Sequence, residues 1–302
     1  MIDGVLNVYK EPGYTSFDVV AKLRGVLKQK KIGHMGTLDP EAVGVLPVCL
    51  GKATKLCDML SAQDKVYKAT MLLGVETDTQ DATGTVLNSV EESEVLKIPE
   101  TTLFQVIKSY IGDYDQVPPM YSAIKINGQK LYELARKGKT VDRPARRVKI
   151  IDITITNIEL PRVEMIVKCS KGTYIRTLCH DIGKDLGCGA CMEKLLRSSV
   201  ERFDVEESLT IDQIKELFDS GRLQEKLVPV DEMLNEYSKC VIAKENSKLI
   251  YNGNKFGPSA TLLKMNHSHN QKIRVYDYEG NFVGVYKYDG EDKVYKPVKM
   301  FL

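Results

Sequence analysis

The 302-residue chain has no apolar run long enough to cross a membrane, and its first residues lack the apolar core of a secretory signal. Its seven cysteines are odd in number and irregularly spaced, which argues against a disulfide framework. With 43% hydrophobic and 28% charged residues, the composition is typical of a globular protein. The sequence therefore predicts a cytoplasmic protein with reduced thiols.

Motifs for metals and common cofactors are also missing. Cys188 and Cys191 form one CxxC pair, but a structural zinc site usually draws four ligands from two such pairs, and His180 is a solitary further candidate. The segment Gly51–Thr54 is similar to the end of a phosphate-binding loop, but the upstream GxxxxG spacing of that motif is missing, so we reject a P-loop. We therefore predict no metal and no cofactor, which leaves a cofactor-independent enzyme or a binding protein.

The net charge of +2 conceals an uneven distribution. Residues 200–234 carry ten acidic and four basic side chains, whereas residues 235–302 carry seven acidic and eleven basic ones. Two more basic clusters lie at 21–31 and 136–149. Such clusters are usually solvated faces, but near glycine-rich loops they are compatible with a polyanionic substrate. The candidate phosphate contacts in them are Lys28, Lys30, Arg146 and Arg147.

The order of the predicted elements indicates the fold class. Alternating, β-branched segments at 146–160 and 162–175 predict strands, and the capped stretch from Thr15 predicts a helix. Because strands and helices do not alternate as βαβ units, we predict an α+β fold with a mixed, mainly antiparallel sheet and flanking helices. The short strand-like pieces after the acidic stretch predict a large domain at 1–234 and a small β-rich module at 235–302.

Glycine and proline punctuate the stretch GHMGTLDPEAVGVLPVCLGKATK, which runs from Gly33 to Lys55. This spacing predicts that no regular helix or strand continues undisturbed through it. The sequence Asp39-Pro40-Glu41 could begin a helix, but Gly44 follows within about one turn, where the glycine disfavours a helix. A constrained loop that presents the Asp39 carboxylate fits the pattern better.

The same stretch resembles the catalytic motif of the TruB family, the tRNA pseudouridine-55 synthases, in which an aspartate follows Gly-His and precedes proline. Four further segments resemble family motifs in the same order, so that the likeness covers roughly residues 1–200. These segments are Lys10–Ser16, Asp64–Gly84, Pro118–Gly138 and Cys169–Gly183. The tail is similar in length and position to the family's PUA-like RNA-binding module.

The resemblance implies roles for individual residues. Asp39 is implied as the catalytic carboxylate, with Arg176 as its ion-pair partner and Tyr67 stacking on the target base and acting in proton transfer. Substrate-binding roles are implied for His34, Tyr174 and Leu195. The family usually has two arginines after the leucine, whereas this chain has Leu196 and then Arg197.

The implied reaction breaks the bond from N1 of uracil to C1′ of the ribose and joins C5 to C1′, which is redox-neutral and needs no cofactor. A carboxylate can add to the sugar or to the base, or remove a sugar proton. An arginine fork can hold that carboxylate ionised, and an aromatic face can offset the stacking that a flipped base loses. A rigid loop would hold Asp39 in place.

The resemblance implies the T-arm of tRNA as partner, with no obligate protein partner and a monomeric state. A non-catalytic tRNA-binding or tRNA-folding protein on the same scaffold is the alternative. The combination of Asp39, Tyr67 and Arg176 favours catalysis, because binding alone would not need it. A glycosidase-like hydrolase fits less well, since the loop supplies one carboxylate rather than a pair.

Overall fold

The computed structural model describes residues 1–60, 63–262 and 268–302. No helix within these ranges is long and apolar enough to span a membrane. The strands, in chain order, are β1 Gly4–Lys10, β2 Ile32–His34, β3 Val43–Leu50, β4 Lys65–Leu73, β5 Val75–Thr77, β6 Val86–Ser89, β7 Gly112–Gln116, β8 Lys125–Ile126, β9 Gln129–Lys130, β10 Arg146–Glu159, β11 Arg162–Cys169, β12 Ala190–Val200, β13 Phe203–Asp204, β14 Ser238–Val241, β15 Lys272–Tyr276, β16 Phe282–Asp289 and β17 Val294–Met300. The α-helices are α1 Ser16–Val26, α2 Cys57–Leu60, α3 Glu92–Val95, α4 Glu100–Ser109, α5 Leu131–Ala135, α6 Ile175–Asp185, α7 Ile211–Asp219 and α8 Ser247–Tyr251.

A nine-stranded sheet forms the centre of the protein, with the order β1-β3-β12-β4-β11-β10-β7 and with β2 and β13 attached at its side. All its pairings are antiparallel except the short parallel contact between β12 and β3. The predicted α+β class with a mixed, mainly antiparallel sheet is confirmed. Residues of β4, β11 and β12 that alternate toward one face pack with α4 and α6 in the largest hydrophobic cluster.

Local sequence explains where the principal helices begin. Thr15 caps α1 by accepting from the Asp18 N–H, and the Asp18 side chain accepts from the Thr15 N–H in return. Thr210 and Gln213 form the same reciprocal arrangement at the start of α7. These caps satisfy N–H groups that have no partner within the helix.

The prediction that no regular strand runs through 33–55 is wrong, because β3 contains both Gly44 and Pro47. The Pro47 carbonyl accepts from the Met35 N–H, on the side away from β1. In a strand, the N and O atoms of one residue point to the same side. The nitrogen of Pro47 therefore faces Met35 and not β1, so the lack of an N–H at this residue removes no hydrogen bond between β1 and β3.

The tail forms a separate four-stranded sheet in the order β14-β15-β16-β17, with its own hydrophobic cluster. The predicted β-rich C-terminal module is present. It also packs on the large sheet, since Val285 and Phe301 share a hydrophobic cluster with Val5 and Val45. The Lys55 ammonium donates to the Met300 carbonyl across the same contact, at 2.7 Å.

Candidate active site

Residues 35–42 form a loop between β2 and β3, not a helix, and this loop carries Asp39. The Leu38 N–H donates to the Ser16 hydroxyl at 2.9 Å, which ties the loop to the first residue of α1. Lys10, fully buried, donates to the carbonyls of Pro40 at 2.8 Å and Ala42 at 2.6 Å. Burial lowers the pKa of Lys10 to about 8. The loop is therefore fixed from inside the protein by polar contacts to its own backbone.

Asp39 and Arg176 form an ion pair at the mouth of the site. Arg176 Nε lies 2.9 Å from Asp39 Oδ2, and Arg176 Nη2 donates to Oδ1 at 3.3 Å; of the two contacts, only the second has hydrogen-bond geometry. The Arg176 side chain is only 4% exposed, whereas that of Asp39 is 38% exposed. The guanidinium thus approaches from the interior and leaves part of the carboxylate accessible to a substrate.

Three further contacts fix the Arg176 side chain. Nη1 donates to the Thr79 carbonyl at 2.9 Å and to Asp81 Oδ2 at 3.3 Å, while Nη2 donates to the Tyr121 carbonyl at 2.9 Å. Asp81 is itself bound through its other oxygen to the hydroxyls of Thr79 and Thr83. Two separate loops, 78–85 and 117–124, therefore hold the Arg176 side chain in the orientation in which it contacts Asp39.

Sequence reasoning did not identify Asp81. It lies within the segment Asp64–Gly84 that resembles a family motif, but nothing in the local pattern indicates that its carboxylate reaches an arginine 95 residues further along the chain. The two carboxylates share one guanidinium instead of facing each other as a free pair.

Burial raises the pKa of Asp39 above its ordinary value, and the nearby Asp81 acts in the same direction. The Arg176 guanidinium is the strongest opposing influence, with a smaller contribution from Lys10. The ion pair thus keeps a partly desolvated carboxylate more acidic than burial alone would leave it.

Tyr67 and Leu195 lie in the same hydrophobic cluster, together with Leu38 from the Asp39 loop, residues 35–42. Tyr67 is 7% exposed and Leu195 is 9% exposed. β4 and β12 pair in register, with Ala69 opposite Leu195 and Tyr67 opposite Arg197, so the two side chains are on the same face of adjacent strands. Burial raises the pKa of the Tyr67 phenol, which is therefore protonated at neutral pH.

Tyr174 precedes the first residue of α6, two positions before Arg176. Its backbone is bound on both sides by Gln116, whose amide oxygen accepts from the Tyr174 N–H at 2.8 Å and whose amide nitrogen donates to the Tyr174 carbonyl at 2.9 Å. Burial raises the pKa of its phenol, and the Asp39 charge adds to this shift. The backbone of Tyr174 is therefore fixed two residues before the arginine that pairs with Asp39.

His34 is the last residue of β2, immediately before the Asp39 loop. Burial lowers the pKa of its imidazole, partly opposed by the Gly36 backbone. The uncharged ring therefore predominates at neutral pH.

The four predicted phosphate contacts are all exposed, but they differ in their surroundings. Arg147 forms a bidentate ion pair with Asp115, at 2.9 and 2.6 Å. Arg146 precedes it on β10 and pairs with Gln116 of β7, whose side-chain amide binds the Tyr174 backbone. Lys28 and Lys30 follow the end of α1, away from that cluster in sequence and in secondary structure.

Family models match most of the chain. Residues 24–175 match the N-terminal domain of TruB family pseudouridylate synthases, and residues 176–235 match the C-terminal domain model of tRNA pseudouridylate synthase B. This chain belongs to the TruB family. The second model covers β12 and α7, so its C-terminal domain lies before the β14–β17 module.

Similar proteins cover the full length of this family member. It is 51% identical to tRNA pseudouridine synthase B of Lachnoclostridium phytofermentans over 100% of both chains. It is 48% identical to that of Staphylococcus haemolyticus over 85% of this chain and 86% of the relative. Among solved structures, a Cbf5-Nop10-Gar1 complex contains a chain with a TM-score of 0.72 and 27% identity, covering 99% of this chain and 85% of that one. The likeness confirms the pseudouridine synthase fold.

Proposed function

We propose that this TruB-family chain converts uridine 55 in the T-loop of tRNA to pseudouridine, after the nucleotide has flipped out of its stack. The observation that carries the proposal is the Asp39–Arg176 pair, in which a buried guanidinium presents a partly exposed carboxylate beside Tyr67 and Leu195. The relatives from Lachnoclostridium phytofermentans and Clostridium kluyveri, which are 51% and 42% identical over 100% of this chain, are named tRNA pseudouridine synthase B and support tRNA as the substrate.

The isomerisation balances without an added reagent. The N1–C1′ bond breaks, the uracil rotates, C5 bonds to C1′, and the proton lost from C5 is matched by the one gained at N1. Asp39 can act on the sugar or on the base, or as a proton acceptor, and each of these roles requires the ionised carboxylate. Arg176 supports the ionised form by its charge and fixes the orientation of the carboxylate.

The remaining residues are proposed to bind the substrate. The buried Tyr67 ring provides an aromatic face for the uracil and a phenol for proton transfer, and Leu195 closes the apolar side of the pocket. Tyr174 lines the side of the pocket nearest Asp39. The uncharged His34, which precedes the Asp39 loop in the chain, contacts the flipped nucleotide. Arg146 is the best placed of the four exposed cations to contact a phosphate near the site.

We also propose a division into a catalytic domain at 1–234 and a PUA-like RNA-binding module at 235–302. The four strands of the second sheet begin at Ser238, and lysines lie over tyrosine rings on this module: Lys239 over Tyr276 and Lys272 over Tyr237. Lys239 and Lys272 are exposed and can contact an RNA backbone, while the tyrosine rings beneath them hold their side chains in place.

We further infer that the protein acts as a monomer in the cytoplasm, without an obligate protein partner. The similar chain of known structure comes from a Cbf5-Nop10-Gar1 complex. For this chain, the Asp39 loop, Arg176 and Tyr67 are assembled by contacts within one polypeptide. Analytical ultracentrifugation of the free protein and of its tRNA complex should give one copy per tRNA.

The test is to incubate the purified protein with a T-arm hairpin and to map pseudouridine at single-nucleotide resolution. We expect one modified position, uridine 55, and none in a hairpin that carries cytidine there. Tight binding of the hairpin with no pseudouridine formed would instead favour the non-catalytic tRNA-binding alternative.

A further inference from the structure

Arg197 is the largest side chain that is fully buried in the described part of the chain. It lies on β12, and among the residues that the structure describes it forms no ion pair with a carboxylate. A buried charge is costly unless polar groups replace the water that it has lost. The contacts that replace water around Arg197 therefore indicate what the residue does.

Backbone carbonyls at both ends of the Asp39 loop surround the guanidinium. Nε donates to Val45 at 2.7 Å, beyond the C-terminal end of the loop. Nη1 donates to Thr37 and Nη2 to Gly36, both at 3.3 Å, near its N-terminal end. One planar fork thus joins the chain before Asp39 to the chain after it, a geometry that a single ammonium cannot reproduce.

The main chain of Arg197 is equally constrained. It pairs with Tyr67 on β4 and with Gly44 on β3. A Cβ on Gly44 would lie only 2.4 Å from the Arg197 carbonyl oxygen, so the loop returns to the sheet directly against this residue. Burial raises the pKa of the Tyr67 phenol, and the Arg197 charge partly offsets that rise. Arg197 therefore contacts both the Asp39 loop and Tyr67, and the proposed substrate lies between these two.

We propose that Arg197 is a positioning residue that fixes the Asp39 loop relative to the Tyr67 ring, and so sets the space into which the flipped uracil fits. This inference rests on the proposed function. Arg197 touches neither Asp39 nor the proposed substrate; it acts through the loop carbonyls and through the pairing of its own strand with Tyr67 on β4. Loss of the fork should therefore slow the chemical step and leave the RNA affinity, which depends on surface contacts, nearly unchanged.

The main test variant is Arg197→Lys, which should fold because it keeps the positive charge and the donors of a single ammonium group but loses the planar fork. A second variant, Arg197→Met, removes both the charge and the donors. With enzyme in excess over a T-arm hairpin at saturation, the single-turnover rate should fall by ~100-fold for Arg197→Lys, the loss expected for a displacement of ~1 Å at a reacting centre. The hairpin Kd, from fluorescence anisotropy, should stay within about two-fold, as for a residue that acts only on the transition state.

Two controls distinguish positioning from general stability. Lys194→Gln removes an exposed charge from the same strand and should leave the rate unchanged. Ile214→Ala creates a cavity in a different hydrophobic cluster, under α7, and should lower the Tm without slowing the folded enzyme. If Ile214→Ala slows the reaction as much as Arg197→Lys at equal Tm loss, or if Arg197→Lys is fully active, the positioning role is wrong. Failure of the wild-type protein to form pseudouridine would instead overturn the proposed function itself.

Discussion

At the scale of single residues, Asp39 is held in a balance between burial and charge. Burial and Asp81 raise the pKa of its carboxyl, and Arg176 lowers it. Arg176 also contacts Asp81 at 3.3 Å, so the guanidinium keeps a carboxylate partner even if the Asp39 charge is removed. This arrangement separates the effect of Asp39 on catalysis from its effect on stability.

Asp39→Asn should abolish pseudouridine formation without lowering the Tm. The amide keeps the shape of the side chain but cannot act as a base or nucleophile, and the substitution removes a charge whose burial is unfavourable. Mapping of modified RNA, anisotropy and thermal unfolding provide the three measurements. Turnover near that of the wild type would contradict the catalytic assignment, and a large fall in Tm would show that the ion pair mainly supports the fold.

The pH dependence of kcat/KM should reflect the raised pKa of Asp39. Activity requires the ionised form, so it is lost as the pH falls through the folded pKa, which lies above the ordinary value of 3.8. Arg176→Gln removes the main influence that lowers this pKa, and the acidic limb of its residual activity should therefore move to higher pH. The exposed Arg202→Gln variant is the control and should leave the limb in place. A limb that moves to lower pH in Arg176→Gln would contradict this account.

At the scale of elements, the return of the Asp39 loop into β3 depends on Gly44. Its φ is +104°, and a side chain there would meet the Arg197 backbone. β3 and β12 pair in parallel at only two positions, Val43–Leu196 and Gly44–Arg197. The approach of Gly44 to Arg197 is therefore one of the two pairings that join these strands.

Gly44→Ala should destabilise the protein by about 2–6 kcal/mol, from backbone strain of ~1–3 kcal/mol together with overpacking of similar size. Gly221→Ala is the matched control, because Gly221 also has a positive φ, +73°, but nothing lies within 4 Å of its added Cβ. Urea unfolding of both variants separates strain from clash. Equal losses of stability would show that the approach of Gly44 to Arg197 contributes little.

The strand β10 presents two adjacent arginines in different states. Arg147 is already paired with Asp115, whereas no ion pair of Arg146 is found among the described residues. Arg146→Gln should therefore reduce the slope of log K against log salt for tRNA binding by about 1, and Arg147→Gln by clearly less. Slopes that fall equally would show that RNA displaces Asp115 from Arg147.

At the scale of the whole molecule, the two sheets share a hydrophobic cluster. Phe301, at the end of the chain and 2% exposed, packs with Phe282 of the second sheet and in one cluster with Val5 and Val45 of the first. Hydrogen bonds from Arg274 to the Asp231 and Tyr237 carbonyls cross the same region. The C-terminal module therefore contributes to the stability of β1 and β3, and β3 directly follows the loop that carries Asp39.

Phe301→Ala should lower the free energy of unfolding by about 3–5 kcal/mol, the usual cost of removing a buried aromatic ring. The conservative variant Phe301→Leu should lose much less. Hydrogen exchange of β1 and β3 amides provides the decisive measurement, since these strands belong to the other sheet. Faster exchange confined to β14–β17 would show that the two units are energetically separate.

Local sequence alone determined the parts of this protein that depend on neighbours in the chain. The Thr15 cap, the alternation in β10 and β11, and the loop around Asp39 follow from propensities and from spacings that act over a few residues. The motifs that resemble the TruB family were recognisable for the same reason, because each is a continuous segment. Asp39, Tyr67 and Arg176 are in such segments.

Only the tertiary structure decided the contacts between distant segments. Asp81 reaches Arg176 across 95 residues, and Arg197 reaches Gly36 across 161. The path of β3 through Pro47 was decided in the same way, because on that side of the strand the Met35 N–H donates to the Pro47 carbonyl and no N–H of Pro47 is required. The physical reason is that a buried polar group is stabilised by whichever donors and acceptors the completed fold brings to it, and local patterns do not encode which segments will be adjacent.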